Sequence, residues 1–336
     1  MKRSLITGIT GQDGSYIAEL LLGKGYEVYG LIRRTSNIDY SRLKNVYSDI
    51  RFICGDLSDS SSIDEAIKTA KPDEIYNFAA QSNVAISFDI PENTADINAI
   101  GVIRILESIR KNDLAGVTKI YQASSSELFG KANSSPQNEN TPFHPYSPYA
   151  ISKLFAYWTC KEYREIYNMF ICNGILYNHE SERRGKDFVT KKITLAVSNI
   201  KKGLQDKLYL GNLNSKRDWG YAKDYVECMW KMLQKEKPDD YVVATGVQHT
   251  VREFATLAFG VAGYDIEWDG EGVNEKGIDR NSGKTLVEVS KDFYRKDDVN
   301  YLIGDPSKAI KELGFNPTKT SFDELVRIMV NYDLNN

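Results

Sequence analysis

The chain has 336 residues, of which 41% are hydrophobic and 26% are charged, and its 43 basic and 46 acidic side chains give a net charge of −3. This length suggests two domains or one elaborated α/β domain. The near balance of charge argues against nucleic-acid and membrane-surface partners, and no apolar run approaches the roughly 20 residues that span a bilayer.

The first residues of the chain and its cysteines and histidines indicate where the protein is located and whether it binds a metal. The chain reaches a glycine loop at Gly8, so we expect no signal peptide. None of the four cysteines forms a C-x-x-C pair and the three histidines are dispersed, so neither zinc nor a disulfide framework is expected. We therefore expect a cytoplasmic protein that holds no metal.

The first half of the chain alternates short apolar segments with amphipathic ones. The predicted strands are residues 4–7, 26–32, 51–54, 74–79, 118–123 and 170–176. The predicted helices are residues 15–23, 61–69, 95–110 and 149–165. Strands that alternate with helices predict an α/β fold, a doubly wound parallel sheet covered by helices on both faces.

The pattern changes beyond about residue 178, where charged and aromatic residues mix with glycine loops. This region predicts a smaller mixed α/β domain whose long loops bind a substrate. A strand at 241–245 is expected to return to the main sheet, so the two domains interleave. We assign 1–178 plus about 214–246 to the first domain, and 179–213 plus about 247–336 to the second.

A glycine loop lies between the first predicted strand and the first predicted helix. A turn without side chains lets backbone N–H groups approach a diphosphate, and the helix N-terminus adds positive potential. The position is typical of a Rossmann-like dinucleotide site, although a purely structural turn is the alternative. The residues concerned are Gly8, Thr10, Gly11, Gln12, Asp13 and Gly14.

The ends of the next three predicted strands supply further cofactor candidates. Arg33, Arg34 and Ser36 follow the second strand, where an acidic residue would favour NAD. Arginines suit the 2′-phosphate of NADP instead, with a solvated basic turn as the alternative. The other candidates follow the third and fourth strands and are Asp56, Leu57, Ala79, Ala80, Gln81 and Ser82.

Four residues carry the predicted chemistry. Tyr149 and Lys153 share one face of a helix, where an ammonium is expected to lower the pKa of the phenol and make it a base. Ser125 and Glu127 follow the fifth strand and point toward the same crevice. One base oxidises an alcohol, whereas a second acid/base group allows a proton to be removed elsewhere. Tyr149 as a packing residue and Glu127 as a helix cap are the alternatives.

These motifs resemble the extended short-chain dehydrogenase/reductase family, and within it the GDP-mannose 4,6-dehydratases. The glycine loop and the Tyr-x-x-x-Lys pair indicate only the superfamily. The segments at 125–130 and 178–181 are more specific, and the resemblance covers almost the whole chain.

The resemblance implies a reaction that converts GDP-mannose to GDP-4-keto-6-deoxymannose and regenerates NADP in each turnover. Tyr149, with Lys153, takes the O4 proton as hydride leaves C4. Glu127 removes the C5 hydrogen and helps to expel the C6 hydroxyl, and Ser125 supports O4. The resemblance assigns Lys153, His179 and Arg184 to the cofactor, and Ser82, Asn178, Arg217, Arg295 and Asp298 to the substrate.

The resemblance also implies a homotetramer or homodimer, with residues 33–42 at a subunit contact. The chain departs from the family pattern at Asn83, Asn93, Ser125, His144, Tyr146 and Asp298. These departures keep open a related substrate such as a GDP-manno-heptose. A sugar-nucleotide epimerase or reductase is the alternative enzyme, and a non-catalytic NADP-sensing protein is the alternative from another class.

Overall fold

The computed structural model describes residues 1–294 and 302–336, so the predicted substrate residues Arg295 and Asp298 lie outside the described residues. The strands are β1 (Arg3–Thr7), β2 (Glu27–Ile32), β3 (Ile50–Cys54), β4 (Glu74–Asn77), β5 (Lys119–Ala123), β6 (Phe170–Leu176), β7 (Asn178–Glu180), β8 (Leu208–Leu210), β9 (Lys216–Arg217), β10 (Trp219–Tyr221), β11 (Tyr241–Val243), β12 (His249–Thr250), β13 (Ile266–Asp269), β14 (Lys276–Asp279) and β15 (Thr285–Val289). The helices are α1 (Gln12–Gly23), α2 (Ser60–Ala70), α3 (Ile86–Asp89), α4 (Pro91–Ala95), α5 (Gly101–Lys111), α6 (Pro148–Tyr167), α7 (Val189–Lys201), α8 (Ala222–Leu233), α9 (Val251–Val261), α10 (Ser307–Leu313) and α11 (Phe322–Asn335).

The central sheet has seven strands in the order β3-β2-β1-β4-β5-β6-β11, and every neighbouring pair is parallel. Helices α1 and α8 pack in the hydrophobic core on one face, while α2, α5 and α6 pack in a core on the other. The predicted doubly wound parallel sheet is therefore confirmed. The carboxyl ends of all seven strands lie at one edge, where parallel sheets bind ligands.

One predicted helix, 95–110, is interrupted in the structure. Its first turns form a π-helical segment, Asp96–Ile100, between α4 and α5. The buried side chain of Asn98 lies in this segment and bonds to neighbouring elements rather than to solvent. A π-helical turn inserts one extra residue into a helix and is often found beside functional sites.

The second half of the chain builds a mixed sheet in the order β13-β14-β15-β8, with β15 and β8 parallel and the other pairs antiparallel. Helices α7, α9 and α11 form a separate core with this sheet. The pairs β7–β10 and β9–β12 lie outside both sheets. Helix α10 packs with α8 and β11 in the first core, although it comes late in the chain. The exact division into two interleaved domains stays a prediction.

Within the described ranges, no helix combines the length and the apolar character needed to cross a membrane.

Candidate active site

The glycine loop is held by backbone contacts too close for side chains. Gly8 has φ +65°, and a Cβ there would lie 2.8 Å from the Ala79 nitrogen. A Cβ on Gly14 would lie 2.3 Å from the Gly8 carbonyl oxygen and 2.6 Å from the Ile9 Cα. Both positions therefore require glycine, because α1 packs directly on the loop and the loop packs on the end of β4.

The N-terminus of α1 is open toward this edge of the sheet. Gly11 occupies the N-cap position, and no described side chain caps the helix there. Uncapped N–H groups at a helix N-terminus are a ready-made site for a diphosphate. Two buried atoms nearby, Ser124 Oγ and Gln81 Oε1, have no hydrogen-bond partner among the described residues. The residues present therefore fit a bound dinucleotide.

Two other loop residues interact mainly within the protein. The Gln12 amide donates to the His179 carbonyl oxygen and to Asp13, both at 3.1 Å, and accepts from the Ser181 hydroxyl at 2.8 Å. The Thr10 carbonyl accepts from Arg42 at 3.3 Å. The Gln12 side chain thus ties the loop to β7 and its following turn.

The candidates for the adenosine end lie apart from the catalytic side chains. Arg33, Arg34 and Ser36 are exposed on the segment after β2. The Arg33 charge contributes to the lowered pKa of Asp56, behind burial, which acts in the opposite direction, and hydrogen bonds from Ser58. The Leu57 side chain is buried in the core that contains α2 and α5.

The segment after β4 is clamped from behind by Asn98. The Gln81 N–H donates to Asn98 Oδ1 at 2.9 Å, and Asn98 Nδ2 donates to the Gln81 carbonyl at 3.0 Å. The same amide group donates to Ser152 Oγ at 3.2 Å, next to Lys153 in α6. Asn98 therefore joins the predicted cofactor segment 79–82 to the catalytic helix. It was not identified from the sequence, although a polar residue within an apolar helical run was a usable signal.

Ser125 and Glu127 lie in the turn that leaves β5. Ser125 is the N-cap of a 3₁₀ turn, Ser126–Leu128, and its hydroxyl accepts from the Glu127 N–H at 3.2 Å. This short turn projects the side chains of three successive serines and Glu127 into one cleft. Ser125 and not Glu127 therefore caps this turn, which does not favour the alternative of Glu127 as a helix cap.

Tyr149 and Lys153 lie in the first turns of α6, as the spacing predicts. Ser147 caps the helix by accepting from the Ala150 N–H at 3.0 Å, and Pro148 occupies the first turn. Lys153 Nζ lies 5.9 Å from the centre of the Tyr149 ring and donates to the Ala123 carbonyl at 2.9 Å. The end of β5 therefore positions the ammonium below the phenol.

Burial controls the protonation of this pair. Burial raises the pKa of Tyr149 to about 12, with the Glu127 charge adding to the effect and a hydrogen bond from Ser125 opposing it. Burial also lowers the pKa of Lys153 to about 8. The expected lowering of the phenol pKa is therefore not found in the protein alone, because the loss of solvent outweighs the hydrogen bond from Ser125.

Ten of the predicted site residues line this one cleft. They are Asp13, Ala80, Ser82, Ser125, Glu127, Tyr149, Lys153, Asn178, His179 and Arg184. Residues that line it but were not identified from the sequence include Val84, Tyr177 and Phe188. These are apolar or aromatic side chains, and no sequence pattern distinguishes them from core residues.

Among the described substrate candidates, Ser82 and Asn178 line the cleft and Arg217 does not. Arg217 lies in β9, pairs with His249 in β12, and donates to its neighbour's carbonyl, Lys216, at 2.8 Å. No cluster of three or more potential ligands able to hold a metal ion occurs in the described part of the chain.

Three of the family departures make local contacts in the structure. The Asn83 carboxamide accepts from the N–H groups of Ala85 and Ile86 at 2.9 and 3.2 Å, which caps α3. The exposed Tyr146 ring lies under Lys131, with Nζ 3.5 Å from the ring centre. His144 Nδ1 lies 3.2 Å from the Lys131 carbonyl oxygen. The Asn83 side-chain oxygen is therefore engaged by backbone N–H groups at the start of α3.

The comparisons with known proteins agree with this geometry. The family described as GDP-mannose 4,6 dehydratase matches residues 5–329. A GDP-mannose 4,6-dehydratase of Yersinia enterocolitica is 50% identical over 99% of this chain and 94% of its own length, and GDP-mannose 4,6 dehydratase 1 of Arabidopsis thaliana is 52% identical over 99% and 90%. A UDP-glucose 4-epimerase of Thermus thermophilus, solved with NAD, has a TM-score of 0.80 at 26% identity and covers 98% of each chain. The chain therefore belongs to the GDP-mannose 4,6-dehydratase family, among the extended short-chain dehydrogenases/reductases.

Proposed function

We propose that the protein is an NADP-dependent GDP-mannose 4,6-dehydratase, a lyase that forms GDP-4-keto-6-deoxymannose. The observation that carries this proposal is the position of Glu127 in the same cleft as Ser125, Tyr149 and Lys153. A dehydrogenase or 4-epimerase needs the tyrosine and lysine alone, whereas loss of water across C5 and C6 needs a second acid/base group.

Each side chain has one task in this reaction. Bound NADP⁺ would accept the C4 hydride, return it at C6, and bring a positive ring charge that favours the Tyr149 phenolate. Tyr149 takes the O4 proton, and Ser125 donates a hydrogen bond toward O4 as charge develops there. Lys153 holds a proton beneath the phenol. Glu127 removes the C5 proton, now acidified by the C4 ketone, and gives it to the departing C6 hydroxyl, which leaves as water. As hydride would return to C6, C5 regains a proton, which balances the O4 proton that Tyr149 took.

The predicted binding residues keep the roles that the resemblance implies. Gly8, Gly11 and Gly14 form the diphosphate turn, with Ala79, Ala80, Gln81 and Ser82 beside it, and Arg33, Arg34 and Ser36 take the 2′-phosphate. Both arginines are exposed, which supports a phosphate contact. Ser82 and Asn178 contact the sugar nucleotide, as Arg217, Arg295 and Asp298 are proposed to do.

A homo-oligomer is proposed on the basis of one exposed apolar face. In α6, Ile151, Phe155 and Trp158 are 58%, 45% and 54% exposed and recur at helical spacing along one stripe. Ile103 of α5 lines the same shallow groove. Such a patch marks an interaction site, and a twofold contact between identical helices would cover it. Residues 33–42 would form the second contact of a tetramer.

Sedimentation tests this arrangement. Trp158→Glu should dissociate the assembly at micromolar protein, whereas Lys311→Glu on the exposed face of α10 should not. NADP that spans two subunits should stabilise the oligomer. A wild-type monomer with and without NADP would refute the contact. We also propose that the protein is cytoplasmic and that its two domains interleave as the sequence predicts.

The test of the reaction is product mass. Purified protein incubated with NADP⁺ and GDP-mannose should release a product lighter by one water, with no stoichiometric NADPH. GDP-manno-heptose in a parallel reaction decides whether the departures near the cleft select a longer sugar. A product of unchanged mass would indicate an epimerase. A product whose formation consumes NADP⁺ stoichiometrically would indicate a dehydrogenase. NADP binding without any product would indicate a sensing protein.

A further inference from the structure

His179 lies in the wall of the cleft with both ring nitrogens engaged by oxygen atoms. Nδ1 lies 2.8 Å from the Tyr177 carbonyl oxygen, and Nε2 lies 2.8 Å from Asp13 Oδ2. A backbone carbonyl only accepts hydrogen bonds, and so does an ionised carboxylate. If Asp13 is ionised, both nitrogens of His179 must carry protons and the ring is an imidazolium.

The contacts of Gln12 are consistent with an ionised Asp13. Gln12 Nε2 faces the carbonyl oxygen of His179, so this end of the amide must be the donor. The same nitrogen lies 3.1 Å from Asp13 Oδ1. Asp13 Oδ1 therefore accepts a hydrogen bond from Gln12. Because burial raises the pKa of Asp13 less than His179 and Gln12 lower it, the group is a carboxylate, and its Oδ2 accepts from His179.

The remaining neighbours of His179 are compatible with a cation. Its ring stacks on the buried Tyr225 ring of α8, with the centroids 4.9 Å apart and the planes at 21°. Arg184, from the turn after β7, is a like charge, but Glu180 pairs with it at 3.0 Å. Burial alone would lower the pKa of His179, yet the Asp13 charge and hydrogen bond outweigh it and raise the pKa. For Asp13, burial is likewise outweighed by His179 and Gln12, and the pKa is lowered.

The position of Asp13 gives this pair a consequence for ligand binding. Asp13 is in the first turn of α1, where the open N–H groups would receive the cofactor diphosphate. An unpaired carboxylate in that turn would repel the diphosphate. We propose that Asp13 is a positioning residue that holds His179 as a cation, and that the neutralised pair is what allows the glycine loop to bind an anionic dinucleotide. The inference rests on the proposed cofactor binding, not on the sugar or on the elimination.

A double-mutant cycle on NADPH binding tests the coupling. His179→Gln leaves Asp13 without its counter-charge and should weaken NADPH binding by about 5- to 150-fold, the usual range for coupled sites. Asp13→Asn added to His179→Gln removes the uncompensated charge and should restore most of the affinity. A double variant as weak as His179→Gln, or weaker, would overturn the inference, as would an unchanged affinity in His179→Gln.

The pH dependence gives a readout that a purely structural contact would not move. Because the pKa of His179 is raised, the cation persists above the ordinary histidine range of about 6.5 and is lost as the pH rises through the raised value. Wild-type affinity for NADPH should fall across that window, and Asp13→Asn should bind with a flat profile. Nitrogen NMR of the His179 ring should show both nitrogens protonated at neutral pH. A neutral tautomer there would overturn the inference without any variant.

The controls separate this inference from misfolding and from the proposed reaction. His249→Gln, in the distant β12 where the ring stacks on Phe322, should leave NADPH binding unchanged. Thermal unfolding of each variant reports whether it is folded. Suppose that Asp13→Asn restores NADPH binding in His179→Gln but the wild-type protein dehydrates no GDP-sugar. The inference about Asp13 and His179 would then stand, and the proposed dehydratase function would be refuted. Turnover of GDP-mannose without restored NADPH binding in the double variant would support the function and overturn the inference. A protein that binds no NADPH would also overturn the inference.

Discussion

Replacing Lys153 by methionine should stabilise the fold while abolishing activity. The Lys153 ammonium is buried, and its described hydrogen bond goes to the Ala123 carbonyl, which also accepts from Gln122 at 3.0 Å. Methionine fills similar volume without the charge. The carbonyl keeps one donor after the change, so the loss of one hydrogen bond costs about 1 kcal/mol.

The expected gain in folding stability follows from the pKa of Lys153, which burial lowers from 10.5 to about 8. At 1.36 kcal/mol per pH unit, the buried ammonium destabilises the folded state by about 3 kcal/mol near pH 7. The unfolded chain binds the extra proton between these two pKa values, so wild-type stability rises with pH there. At about pH 10 the cost falls below about 1 kcal/mol. Lys153→Met should therefore be about 2 kcal/mol more stable than wild type at neutral pH, and this advantage should vanish by about pH 10.

Urea unfolding of both proteins at these two pH values checks the prediction. Packing and the lost hydrogen bond do not depend on pH, so the change in the difference isolates the charge. Lys311→Met, at an exposed position in α10, serves as the control and should show no such change. An equal stability difference at both pH values would refute a low pKa at Lys153. Lys153→Met should have no dehydratase activity at either pH value.

Three further changes test the rest of the site. Glu127→Gln should reduce turnover by about 10²- to 10⁴-fold while NADPH titration shows unchanged binding; normal turnover would remove Glu127 from the mechanism. The Arg33→Ala, Arg34→Ala double variant should weaken NADP binding by about tenfold or more and leave NAD binding nearly unchanged, and equal losses measured by calorimetry would contradict the 2′-phosphate assignment. Gly14→Ala places a Cβ 2.3 Å from the Gly8 carbonyl and should cost about 1–3 kcal/mol of stability together with cofactor binding. Gly260→Ala in α9, where nothing lies within 4 Å, should instead stabilise by about 0.4–1 kcal/mol, and similar melting shifts for the two would refute the packing argument.

The sequence alone determined the central architecture and many of the polar residues that line the cleft. Runs of apolar residues specify buried parallel strands, and such strands place their carboxyl ends at one edge. Residues that follow different strands, such as Ser125 and Asn178, are thereby predicted to meet. The i, i+4 spacing of Tyr149 and Lys153 likewise predicts a shared helical face, since the helix itself sets that geometry.

Only the tertiary structure decided how the groups in the cleft behave. The pKa values of Tyr149 and Lys153 depend on how much solvent the packed sheet and helices exclude, which spacing cannot report. The clamp by Asn98 joins residues 17 and 54 positions away, and the contact of His179 with Asp13 spans 166. Contacts at such separations leave no local pattern in the chain, because they form only when distant segments pack against the same edge of the sheet.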